Sequence, residues 1–191
     1  MAQARFLILG LISLCFTCVK GDVIPTLSST SPTGSNFTWN YTTNVTVDQL
    51  VQKGDFFTIY DFGNFVSGSN LQPANWTFSS SLSGINPSLV TPADNPGTLN
   101  LTWTYNGDVP INGSSLIGTF SVATDTNALR TSDFAAQATR TSGPTAGTKI
   151  DNVGTINVPI PEAGTLLPIL SVCGAAIAAG IPSVLRRRNK A

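Results

Sequence analysis

The side chains with chemistry to offer in this chain are carboxylates: nine aspartates and a single glutamate, Glu162. Histidine is absent. That removes Ser-His-Asp and Cys-His catalysis and histidine-ligated zinc or haem. The three cysteines are Cys15, Cys18 and Cys173, so residues 22–158 offer no thiol nucleophile either. A glycosidase built here would need a pair of aspartates. Asp48, Asp55 and Asp61 are close in sequence, but nothing in their spacing fixes a geometry. Asp108, Asp125, Asp133 and Asp151 stand in loop-like contexts. All seven read as solvated turn residues. No Asp-x-Asp-x-Asp-Gly run marks a calcium loop; a calcium ion clipped between loops is the alternative. Trp39, Trp76 and Trp103 alternate with polar neighbours as core residues do, the other reading being a sugar-stacking platform. No catalytic residue, metal ligand or cofactor is assigned.

The elements that would carry such residues are strands. In Thr98 to Tyr105, one face carries Leu99, Leu101, Trp103 and Tyr105, and the other only Asn and Thr. Period two over eight residues marks a half-buried strand. The pattern recurs at Phe37, Trp39, Tyr41, Val45 and Val47, at Trp76 and Phe78, and at Phe120 and Val122. Asp55 to Tyr60 is more continuously apolar and reads as a central strand, and Lys149 to Val158 as a last one. Turn signals at Gly63-Asn64, Asn95-Pro96-Gly97, Asn106-Gly107 and Asn112-Gly113 separate the runs. Val47 to Gly54 predicts at most one turn of helix. Short strands at this spacing predict an all-β fold, a single antiparallel β-sandwich over residues 36–158. Residues 22–35 and 140–148 are rich in Pro, Gly, Ser and Thr, and read as a polar linker and a loose loop.

The two ends read as targeting segments. Arg5 followed by the apolar stretch Phe6 to Val19 predicts a signal peptide over residues 1–21. A lipidated Cys15 or Cys18 is the weaker reading, because neither stands in a good lipobox. From Ala163 to Leu185 there is no charge. As a helix this run would measure about 34 Å, enough for a bilayer core of about 30 Å. Arg186, Arg187 and Arg188 follow and would stay cytoplasmic. With both ends set aside, residues 22–158 hold nine Asp against Lys53, Arg130, Arg140 and Lys149, a net charge of −5. An acidic, Lys/Arg-poor body speaks against nucleic-acid binding. With no cysteine there, a disulfide framework is excluded.

Val158-Pro159-Ile160-Pro161-Glu162-Ala163, the uncharged run and the three arginines together resemble the PEP-CTERM sorting signal of Gram-negative bacteria. The resemblance covers residues 158 to 191. It departs from the usual motif at Ala163, where a second proline is usual, although Pro-Glu-Ala occurs in related tails. The resemblance implies a partner, an exosortase. Such a multi-pass membrane enzyme, with a cysteine nucleophile, would cut near Pro161-Glu162 and release or transfer the body. Pro159, Pro161, Glu162 and Ala163 would be the sorting motif, and Arg186, Arg187 and Arg188 the stop-transfer cluster. It also implies export through the inner membrane, a transient single-pass state with the C-terminus cytoplasmic, then the cell surface or medium. Such tails occur in exopolysaccharide-producing, biofilm-forming bacteria, which makes extracellular polysaccharide a candidate partner. Phe57 to Phe62, Asn100 to Tyr105 and Gly118 to Ser121 are similar to bodies found ahead of this tail, with no activity attached. A plain single-pass anchor is the alternative for the tail. A GPI signal does not fit an Arg-Arg-Arg-Asn-Lys-Ala end.

Six Asn-x-Ser/Thr sequons begin at Asn36, Asn40, Asn44, Asn75, Asn100 and Asn112. The first five are expected on the solvent side of their strands, and chance in an Asn/Thr-rich surface is the preferred reading over glycosylation. The leading expectation is a non-enzymatic surface or matrix protein. A carbohydrate-binding or adhesive module anchored by one helix is the alternative; an exposed row of aromatics would favour it. A hydrolase would need a buried Asp pair in a cleft.

Overall fold

A computed structural model describes residues 23–161. The segments read as signal peptide, membrane span and basic tail, with Glu162, Ala163 and Arg186 to Arg188, lie outside the described residues. The described residues form ten strands and no helix: β1 (Val23–Thr33), β2 (Asn36–Val45), β3 (Gln49–Val51), β4 (Phe56–Phe62), β5 (Trp76–Ser81), β6 (Leu99–Tyr105), β7 (Ile111–Asn112), β8 (Ser115–Thr124), β9 (Leu129–Arg140) and β10 (Lys149–Pro159). Two antiparallel sheets result. The small one has the order β1-β2-β8; the large one runs β5-β6-β4-β9-β3-β7, with β10 on the other edge of β9. One edge of β9 is shared, β4 pairing with Phe134 to Gln137 and β3 with Thr139 and Arg140. Residues Gln52 to Asp55 loop out between β3 and β4.

The sheets pack face to face through the alternating residues, a β-sandwich-like arrangement. Trp39, Tyr41, Phe120 and Val122 from the small sheet meet Phe57, Ile59, Leu101, Trp103, Phe134 and Val158 from the large one. Phe120 packs edge-on against Phe57 at 4.9 Å and Trp103 at 5.7 Å between ring centres, and Trp39 meets Phe62 at 6.2 Å. Edge-to-face contacts at such separations are favourable beyond the area they bury. The three tryptophans are core residues, as their alternation predicts.

The structure corrects three local expectations. Residues 22–35 are not a linker, because Val23–Thr33 is β1, paired along β2 around a turn at Gly34 (φ 63°). Ser and Thr suit a strand whose outer face is wet, and Val23 and Pro25 anchor it by burial. Pro25 and Pro32 also blunt this edge against further pairing. The sandwich therefore spans residues 23–159, not 36–158. The helical turn expected in Val47 to Gly54 is the short strand β3, claimed by β9 and β7. Finally, the sequon residue Asn100 is buried. Its side-chain oxygen accepts from the Asp61 N–H at 2.8 Å, and its amide donates to Leu82 O and Asp94 Oδ1.

All seven residues of β4 are buried. Its inner face meets the small sheet. Its outer face is covered by the β5–β6 connection, residues 82–98, which lies across the large sheet as a strap. Thr58 and Tyr60 both donate to Ile85 O, and the Tyr60 hydroxyl also reaches Asn86 Oδ1 at 2.7 Å. Burial, with Asp94 adding to it, pushes the Tyr60 phenol well above its ordinary range, so it stays a neutral donor. Gly84 lies so close to the Tyr60 ring that an added methyl would stand 2.5 Å from a ring carbon.

Candidate functional site

Four of the aspartates serve as fasteners of the fold. Asp61 sits at a bulge in β4 with φ 54°. It accepts from the Asn95 N–H at 2.7 Å and the Ser132 hydroxyl at 3.4 Å, with an Arg130 guanidinium nitrogen 3.9 Å away. Asp133 accepts from the Ala93 N–H at 2.7 Å, and Asp151 from the Leu89 N–H at 2.8 Å. These three carboxylates hold the strap by its backbone donors, an arrangement worth roughly twice a neutral hydrogen bond each. Asp55, fully buried, closes the loop between β3 and β4. It accepts from the Gln52 N–H at 2.9 Å and the Thr139 hydroxyl at 3.1 Å, and pairs with Lys149. The expectation of solvated turn residues fails for Asp55 and Asp61. It fails in part for Asp133 and Asp151, which stand on β9 and β10.

Asp55 and Asp61 lie at opposite ends of β4, about 20 Å apart at the rise of a strand. They do not form an acid pair, and each already has its partners. Among the described residues, no three carboxylates, cysteines or histidines group closely enough to hold a metal ion. A cleft of about 310 Å³ lies beside β1, lined by Ile24, Leu27, Phe134 and Ile156 with Thr26, Thr131, Thr155 and Asn157. It presents no ionisable side chain to a substrate. Among the described residues the most exposed large apolar side chains are aliphatic, and the aromatics Phe37, Phe65 and Phe78 are half-buried against the core.

The residues expected to form the sorting motif lie where the chain leaves the sandwich. β10 stays in register with β9 to its last residue, Pro159 opposite Leu129. Val158 and Pro159 are buried. The Ile160 N–H then donates to Ala128 O at 2.9 Å. Pro161 lies against Gly63, where an added methyl would come 2.5 Å from the Pro161 nitrogen. Of the expected sorting motif, Pro159 and Pro161 are thus fixed on the folded body. Glu162 and Ala163 lie outside the described residues. Sequence reasoning missed this attachment; Gly63, read as a turn signal, is needed for close approach.

Gly63 has no positive φ, so alanine there meets a steric obstacle only. Gly63→Ala is expected to push Ile160 and Pro161 off the body while the core stays intact. Hydrogen exchange at the Ile160 amide should speed up about tenfold, the equivalent of one hydrogen bond, with β9 and β4 amides unchanged. Unchanged exchange at Ile160 would mean that the contact holds nothing in place.

No known protein family, curated protein or solved structure matches this chain.

Proposed function

We propose that this chain is a non-enzymatic exported protein of the cell surface or extracellular matrix, delivered by its N-terminal signal and sorted by its C-terminal tail. The observation that carries the reading is the tripartite order of that tail: Pro-Glu, 23 uncharged residues from Ala163 to Leu185, then Arg186, Arg187 and Arg188. Each part has a physical role. Proline biases its neighbour toward extended backbone, the form a protease-like cleft takes up. Glu162, the chain's only glutamate, offers a carboxylate at the membrane surface that a basic group on a processing enzyme can pair with. The uncharged run stops in the bilayer and the arginines keep its end cytoplasmic. An exosortase, acting as a membrane cysteine protease or transpeptidase, is the partner this layout fits. With Glu162→Ala, the body should stay in the membrane fraction, whereas the wild type should appear at the cell surface or in the medium. Retention of the wild type in the membrane fraction, equal to that of the variant, would leave a plain membrane anchor.

A further inference from the structure

We infer that the end of the sandwich carrying Leu129 and Ile160 is a lipid-contacting surface, on which the body stands against the outer face of the bilayer. The inference rests on reading Ala163–Leu185 as a membrane span, and is independent of whether the tail is later cut.

Distance makes the first argument. The chain is held to the body through Pro161, and only Glu162 separates that residue from the uncharged run. Two peptide steps reach about 7 Å at most. The 23-residue run is about 34 Å long as a helix, leaving about 2 Å beyond a 30 Å hydrocarbon core on each side. The headgroup layer is about 5–7 Å thick. Pro161 is thus held within about 9 Å of the hydrocarbon core, at the outer edge of the headgroup layer, so the exit end of the body can stand off the membrane by no more than a few ångströms.

The side chains there suit that position. Leu129 is 52% exposed and Ile160 42% exposed. They are neighbours, since Pro159 pairs with Leu129 and the Ile160 N–H bonds the residue before it. On a soluble end these two apolar side chains would face water; at the headgroup boundary they would be buried. The charges say which kind of contact it is. Arg140 and Lys149 lie at the other end of β9, about 36 Å away, and Lys53 pairs there with Asp108. At the exit end Arg130 is occupied with Asp61, and Asp125 accepts from Asn64. Among the described residues this end carries no cluster of free basic side chains, so attraction to anionic lipid contributes little, and the contact is apolar and tolerant of salt.

The test uses the full-length chain with Cys15, Cys18 and Cys173 changed to serine, inserted in phosphatidylethanolamine–phosphatidylglycerol vesicles. An environment-sensitive dye is attached at Leu129→Cys, at Ile160→Cys, or at Thr145→Cys in the turn at the far end. With phospholipids brominated high on the acyl chain, the dye at 129 and at 160 should lose about half its fluorescence, as expected for a group 5–10 Å into the interface. The dye at 145 should lose none, and added salt should change neither result. Absence of quenching at 129 and 160 in carbonate-resistant protein would overturn the contact and leave the span intact. A blue shift without quenching would overturn it too, because a protein surface would then cover these residues. Extraction by carbonate would remove the span itself.

Discussion

Trp103→Ala is expected to cost the sandwich about 3–5 kcal/mol, the range for deleting a large buried aromatic. Trp103 is fully buried on β6. It stacks on Phe57 at 5.1 Å and packs against Phe78 at 5.2 Å and Phe120 at 5.7 Å, so it joins both sheets. Alanine would leave a void lined by three rings, which a two-layer core cannot close without moving a whole sheet. The midpoint of thermal unfolding of residues 22–161 should fall by roughly 10–15 °C. Trp103→Phe is the informative companion. The indole N–H of Trp103 is buried with no hydrogen-bond partner, and phenylalanine removes that unpaired donor while keeping most of the apolar contact. Its cost should be less than half that of alanine. Equal losses would show that the ring contacts do not carry the core.

Asp55→Ala is expected to cost about 3 kcal/mol, the scale for breaking a buried pair by removing one partner. The Asp55 carboxylate is the one group that meets the Gln52 N–H, the Thr139 hydroxyl and Lys149 together. Those three come from the β3–β4 loop, β9 and β10. Without it the Gln52 N–H and the Thr139 hydroxyl lose their acceptor, and the loop loses its anchor to β9. Lys149 is 40% exposed, so its ammonium can turn to water, which sets the effect below that of a fully enclosed ion pair. Denaturant unfolding would measure the loss as a lower midpoint at unchanged slope. A change within 0.5 kcal/mol, as for a typical surface site, would mean that the loop is held by its backbone alone.

Much of the architecture is legible in the sequence because alternation is a local signal. Leu101, Trp103 and Tyr105 show their shared face in five residues, and Trp39 and Tyr41 do the same. β4 reads as central because it lacks alternation, and the strap over its outer face supplies the reason. What sequence reading missed depends on partners far along the chain. β1 is polar and reads as a linker until β2 is laid beside it. Asn100 sits at an outward position of β6, and only the strap 82–98 turns that position into a buried one. Asp61 and Asp133 look like turn residues, because a carboxylate that receives backbone N–H groups from a segment 30 or 40 residues away leaves no local trace. The Pro159 to Ala163 stretch, read as a sorting motif, stands out in the sequence only by residue type and spacing. The fixation of Pro161 on Gly63 leaves no such trace, since a close approach of two backbones has no sequence period.

On the proposed reading, the chain would be cut between the folded body, described to Pro161, and the uncharged run that starts at Ala163. The most direct measurement is the intact mass of the protein recovered from its native host, wild type beside Glu162→Ala. The wild-type chain is expected to end near Pro161 or Glu162 and to lack the 23-residue uncharged run and its arginines, with the variant keeping both. A wild-type chain that retains residues 163–191 would contradict the proposed reading and make this protein a β-sandwich on a permanent membrane anchor.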